Sequence, residues 1–254
     1  MTIPGLWFFL LLFTTGLAAG FVDSVAGGGG LITLPVLLTF IPDPKFALGT
    51  NKLQASFGSG SATWHYARAK VVPLRDCFRI FLCTVLGAAL GTLTIQWLDP
   101  KLLKQGLPFV LVAVALYVLL KPELGKDEQK PRIPRLGFDL LFGLALGFYD
   151  GLVGPGAGTF WTMAFVLCLG FNLTKATGYT KVVNFASNLT SLAFFLALGK
   201  VYFAAGVSMG AGQFLGARLG SRMVVTRGTK FIRPVFISVV LALTLKLLLD
   251  NLKR

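Results

Sequence analysis

The sequence predicts an all-α polytopic membrane protein made of two inverted-topology repeats of about five transmembrane segments each. Three observations carry this. The chain is 55% hydrophobic and 13% charged, with a mean hydropathy of +0.75, against roughly 25% charged residues in a soluble domain. Apolar runs near 20 residues, long enough to cross a hydrocarbon core, recur from "PGLWFFLLLFTTGLAAGFV" to "GLPFVLVAVALYVLL" and beyond. The second half of the chain also repeats the first, polar residues included. Strict alternation of apolar and polar positions, the mark of a membrane β-barrel, is absent.

The elements follow in order. In the first half, apolar segments fall near 5–25, 28–42, 46–66, 75–97 and 104–121. In the second they fall near 136–153, 156–171, 175–199, 201–223 and 231–250. The first is read as a retained helix: no Lys or Arg precedes Lys45, and a signal peptide needs a basic start. Segments 28–42 and 156–171 are short for a full crossing and open on glycine clusters, "AGGGGLITLP" and "GPGAGTFW". Glycine is costly inside a helix, so short, Gly-broken helices are expected after Asp23 and Asp150. The third segment carries "GTNKLQASFGSG". Residues 121–135, "KPELGKDEQKPRIPR", have the prolines and mixed charges of a solvated linker. The division is thus 1–121 for the first repeat, 122–135 for a cytoplasmic linker and 136–254 for the second repeat.

"LAAGFVDSVAGGGG" aligns with "LALGFYDGLVGPGAG", pairing Asp23 with Asp150 at an offset of 127 residues. "ALGTNKLQ" aligns with "ATGYTKVV", pairing Lys52 with Lys181 at an offset of 129, and Gly87 and Lys101 meet Gly216 and Lys230 in that register. An odd number of spans per repeat inverts the second half. With ten crossings, 15 of the 24 basic residues lie on one side and seven on the other. The positive-inside rule puts the richer side in the cytoplasm and both termini outside. Re-entrant segments 28–42 and 156–171 are the alternative layout, which mixes the basic loops across both faces.

Few ionisable residues remain at membrane depth: Asp23, Lys52, His65, Asp150 and Lys181, with Asp139 and Arg218 nearer the ends. Such residues are expensive in lipid and usually face a bundle interior or a wet cavity. An inverted repeat brings equivalent positions towards one axis near the midplane. Lys52 and Lys181 are therefore expected at a shared, positive cavity. Breaks at Gly28, Gly29, Gly154 and Gly156 would start new helices, whose N–H groups and dipoles favour anions. Asn51 and Gln54 flank Lys52, while Asn184 and Asn188 follow Lys181 on one helical face. Amide donors suit an oxyanion; interhelical bonding is their other use. Asp23 and Asp150 are assigned to pairing with the lysines or capping the broken helices, with proton coupling as the alternative. Gly87/Gly91 and Gly216/Gly220, at GxxxG spacing, are read as helix packing, which also permits a homodimer. His65, without a counterpart in the repeat, is placed near the cytoplasmic interface.

The net charge of +14 is assigned to loops that meet anionic lipid and not to nucleic acid. Cys77, Cys83 and Cys168 have neither metal-ligand spacing nor a disulfide framework. The glycine clusters lack the Gly-Lys-Ser/Thr of a phosphate loop, so no cofactor is expected. One His and no cluster of nucleophile and base argue against a membrane-embedded enzyme.

"GFVDSVAGGGGLITLPVLL", "ALGTNKLQ" and "GFYDGLVGPGAGTF" with "TKVVNFASNLTSL" resemble the TauE/SafE sulfite exporter family over nearly the whole chain. The resemblance implies a multi-pass inner-membrane permease for sulfite, sulfoacetate or related organosulfonates; the two inverted halves point to export by alternating access. An anion channel or uniporter on the same scaffold is the alternative. Leaving an inside-negative cell is electrically downhill for an anion, by about 2.3 kcal/mol per charge per 100 mV.

Overall fold

The computed structural model describes residues 5–97, 125–238 and 241, which form helices with no strand among them. The helices are α1 (Leu6–Ala26), α2 (Gly30–Phe40), α3 (Pro44–Arg68), α4 (Phe78–Thr94), α5 (Arg135–Leu152), α6 (Ala157–Leu169), α7 (Leu173–Ala197) and α8 (Phe203–Arg227). A 3₁₀ turn, Leu74–Cys77, leads into α4, and helical turns resume over 229–238. These elements fall within a few residues of the segments read from the sequence. Segment 104–121 lies outside the described residues, as does most of 231–250.

Local chemistry sets several boundaries. Asp43 accepts the Lys45 N–H at 2.8 Å and Pro44 opens α3, a start that satisfies one free amide and removes another, since proline has no N–H. Asn172 caps α7 by accepting the Lys175 N–H at 2.9 Å. α2 and α6 hold 11 and 13 residues, or about 16 and 20 Å of rise.

The burial pattern is that of a bundle surrounded by hydrocarbon. Leu82, Leu86, Leu90 and Leu93 line one exposed face of α4, and Leu136, Leu140 and Leu144 one of α5. Meanwhile Lys52, Lys181, Gln54, Gln213 and a dozen or more hydroxyl and amide side chains are buried. In water the opposite distribution is stable; in lipid, polar groups must find partners inside. α1 and the stretch Leu74–Thr94 are long and apolar enough to cross a membrane.

Packing joins the two halves. α1 lies along α8, α4 along α5, and α3 and α7 cross at the centre, each also touching α8 or α4 of the other half. The α1–α8 and α4–α5 contacts are seams of glycine. Gly16 and Gly20 face the backbone of Met209 and Gln213, while Gly212 and Gly216 face Phe13 and Leu17. Gly87 and Gly91 face Leu144 and Phe148, while Gly143, Gly147 and Gly151 face Cys83, Thr84 and Ala88. At each of these positions an added Cβ would strike the partner helix. The GxxxG pairs therefore pack inside the chain, as expected, because bare Cα atoms let backbones approach. Two serine hydroxyls add bonds at α8: Ser208 of α8 donates to the Phe9 carbonyl of α1, and Ser61 of α3 donates to the Phe214 carbonyl of α8, both at 2.9 Å.

The linker is solvated over 126–132 but not loose. The Gln129 N–H donates to the Gly170 carbonyl at 2.7 Å, the Arg132 N–H to Cys168 at 2.9 Å, and the Leu173 N–H to Gly125 at 2.8 Å. Beside it, buried Asp139 receives Arg79 at 2.9 Å and Arg135 at 2.8 Å, which ties the starts of α4 and α5 together.

Candidate functional site

Two breaks in the chain build the site. Between α1 and α2 the backbone turns through Gly27–Gly29, and between α5 and α6 through Val153–Gly156. Gly28 (φ +91°) and Gly156 (φ +83°) occupy the left-handed region that side chains disfavour. Asp23 Oδ1 accepts the Gly29 N–H at 3.0 Å and so caps the first break. The second is braced by Tyr149, whose hydroxyl donates to the Pro155 carbonyl at 2.6 Å.

Two lysines reach these breaks from the central helices, and they cross. Lys52 of α3 donates from Nζ to Asp150 Oδ1 at 2.9 Å and to the Asp150 carbonyl at 2.6 Å. Lys181 of α7 donates to Asp23 Oδ2 at 2.9 Å. Each lysine thus pairs with the aspartate of the other half. The pairs are buried: side-chain exposure is 3% for Lys52, 6% for Asp150, 0% for Lys181 and 15% for Asp23. The expectation of a positive chamber needs correction, because two carboxylates balance the two ammonium groups.

The amides fall into two sets. Asn51 Oδ1 accepts from Thr33 at 2.6 Å and from Gln54 at 2.8 Å, and Gln54 also donates to Thr33 at 3.1 Å. This knot fixes α2 to α3. In the other half, the equivalent Thr162 and Thr180 hydroxyls lie 3.0 Å apart. Asn188 Nδ2 donates at 3.3 Å to Ser59, its own counterpart at the 129-residue offset.

Between the breaks lies a cavity of about 40 Å³, room for about three waters. Its walls include Asn51, Lys52, Asn184, Asn188, Gly28, Gly154, Gly156, Asp23 and Asp150, all singled out in the sequence. Lys181, Gln54 and Gly29, also singled out, do not line it. Lys181 stands behind Gly158, its Nζ 3.6 Å from where a Cβ on that glycine would be. Gly30 and Gly158, in the first turns of α2 and α6, are wall residues too; helix starts leave amide hydrogens without intrahelical acceptors.

Sequence reasoning missed Gln213 of α8. It is buried and lines the cavity. Its counterpart in the first half is Thr84, so a search for repeated polar residues passes over it. A lone amide among glycines and alanines in "GAGQFLGARLG" was the available signal. The Gln213 Oε1 and Asn184 Oδ1 atoms are buried without a protein partner. Buried acceptors left unmatched are costly, so these two call for a donor, such as water or a proton-bearing group on the guest. Among the described residues no three His, Cys, Asp or Glu side chains come together as a metal site.

The family model described as "Sulfite exporter TauE/SafE" matches residues 12–247. A "Probable membrane transporter protein" of Haemophilus influenzae is 47% identical over 95% of this chain and 94% of its own length. "Probable membrane transporter protein YfcA" of Escherichia coli is 46% identical over 95% of this chain and 90% of its own. "Probable membrane transporter protein ORF9" of a Sinorhizobium species is 46% identical over 94% and 92%. No solved structure matches the chain. With its glycine breaks and buried lysines inside the matched span, the chain belongs to the sulfite exporter TauE/SafE family of membrane proteins.

Proposed function

We propose that the protein is a secondary transporter that exports a small sulfur-containing anion, sulfite or an organosulfonate such as sulfoacetate, across the inner membrane by alternating access. The cavity between the two glycine breaks is the substrate site. One observation carries this reading: both helix starts, Lys52 and the side-chain amides of Asn184 and Gln213 meet at a single cavity, with Asn184 Nδ2 beside Gly158. A space for about three waters takes a sulfite ion or the head group of a sulfonate. Amide hydrogens at helix starts favour negative charge, and amide side chains orient oxygens.

The two halves act as inverted repeats with both termini outside the cytoplasm. Exchanging the halves at the offsets of the sequence repeat turns the Lys52–Asp150 bond into the Lys181–Asp23 bond. It likewise turns the α1–α8 packing into α5–α4. The contact between Asn188 and Ser59 joins two such counterparts, as at a local two-fold axis. These correspondences support alternating access about that axis.

The test is efflux from liposomes containing the purified protein and loaded with sulfite, thiosulfate, sulfate or methanesulfonate. Saturable efflux of a sulfur oxyanion that disappears in Lys52→Ala is the expected result. Equal efflux from Lys52→Ala, or no efflux of any of the four, refutes the reading. Thermal unfolding with each anion gives a second measurement: a ligand at 100 times its Kd stabilises by about 2.7 kcal/mol.

A further inference from the structure

We propose that the site carries a monovalent sulfonate together with one proton, held on Asp23, so that transport is electroneutral. This rests on the reading of the cavity as the transport site.

The four charged groups at the cavity and behind its wall, Asp23, Asp150, Lys52 and Lys181, already cancel. A bare anion would add a net negative charge among glycines and amides. Beyond the partial charge of the two helix starts, the neighbouring elements hold no charged side chain to offset it among the described residues. α2 and α6 face the cavity with glycine and alanine, and α8 with Gln213. The tyrosines nearby are engaged: Tyr66 of α3 donates to the Ser24 carbonyl at 2.8 Å and Tyr149 of α5 to Pro155 at 2.6 Å. Buried charge needs a partner, and a proton on one carboxylate supplies it by releasing a lysine.

The two pairs are not equivalent. Lys52 holds both the carboxylate and the backbone carbonyl of Asp150, so protonation of Asp150 leaves it a bond. Lys181 holds the Asp23 carboxylate alone. Asp23 is also the more open of the two aspartates, at 15% against 6%. A proton on Asp23 Oδ2 ends the ion pair while Oδ1 still accepts the Gly29 N–H, so the first break stays capped. The sulfonate then becomes the counter-ion of Lys181 across the bare Cα of Gly158, with Asn184 Nδ2 beside it. On the other side of the membrane the anion leaves, the proton returns to water and the Lys181–Asp23 pair closes again. The membrane voltage drops out, and the anion and pH gradients together set the direction.

The experiment uses protein liposomes, methanesulfonate as the probe, a trapped pH dye and a potassium–valinomycin voltage clamp. Methanesulfonate stays ionised at neutral pH, so it does not leak as a neutral acid. The expected result is one proton per anion, with accumulation shifted about tenfold by one pH unit and less than about twofold by 100 mV. A uniported monoanion would instead shift by about 50-fold with 100 mV and ignore pH. Voltage-driven accumulation without proton movement overturns the coupling and leaves the transport reading standing. No protein-dependent methanesulfonate flux overturns both. Asp23→Asn is expected to move anion without protons; proton movement in Asp23→Asn removes Asp23 as the carrier. If that variant does not fold, the stoichiometry of the unaltered protein decides.

Discussion

Replacing Lys52 by Met keeps the length of the side chain and removes its charge. The Asp150 carboxylate, whose side chain is 6% exposed, then lies buried without a counter-ion. Truncating one partner of a buried ion pair costs about 3–5 kcal/mol. The upper part of that range applies here, because Lys52 closes two contacts, at 2.9 and 2.6 Å. The double variant Lys52→Met/Asp150→Leu removes both charges. Replacing a whole buried pair with apolar groups of similar volume is often neutral. Only the bond to the Asp150 carbonyl is then lost, about 1 kcal/mol. Thermal or denaturant unfolding in detergent should thus rank the double variant close to the unaltered protein and the single variant well below it. Neither should move anion in liposomes. A single variant as stable as the parent would refute the pairing energetics. A double variant with normal flux would remove Lys52 from the transport site.

Three other outcomes are expected. Gly216→Val drives a side chain into the Leu17 and Phe21 backbone and should destabilise by at least about 1–3 kcal/mol; Gly137→Ala, with nothing within 4 Å of its Cβ, should gain about 0.5–1 kcal/mol. Melting followed by size-exclusion chromatography checks both. Gly28→Ala forces a side chain into φ +91°, which should cost about 1–2 kcal/mol and slow anion efflux at unchanged expression. Gln213→Met loses an amide whose oxygen has no protein partner, so stability should change by less than about 1.5 kcal/mol, while the ranking of sulfite, thiosulfate and methanesulfonate in competition assays should change.

The helices were legible because lipid imposes long apolar runs, and the breaks because glycine clusters interrupt them. The lysine and aspartate positions stood out by their cost at membrane depth. Their pairing did not. The repeat marks Lys52 as equivalent to Lys181, but it does not say which aspartate each one meets; only the crossing of α3 and α7 decides that. For the same reason the sequence points to a positive chamber where the structure holds a neutral one. Lys181 reads as a wall residue from the repeat and Gln54 from its place beside Lys52; packing sets Lys181 behind Gly158 and draws Gln54 into the knot with Thr33 and Asn51. Gln213 escaped because it breaks the repeat, and a difference between halves is invisible to a search for likeness. The bonds from 125–132 to the α6–α7 turn had no local signature, since they join backbone to backbone.

The glycine seams constrain how such a molecule can change shape. Where two backbones touch with no side chains between them, there is nothing to re-rotamerise and little slack for sliding. α1 with α8, and α4 with α5, therefore behave as two stiff double rods. Any inward-to-outward switch must take its flexure from the short α2 and α6 and the glycine joints before them, with the paired rods serving as the fixed frame against which those joints swing.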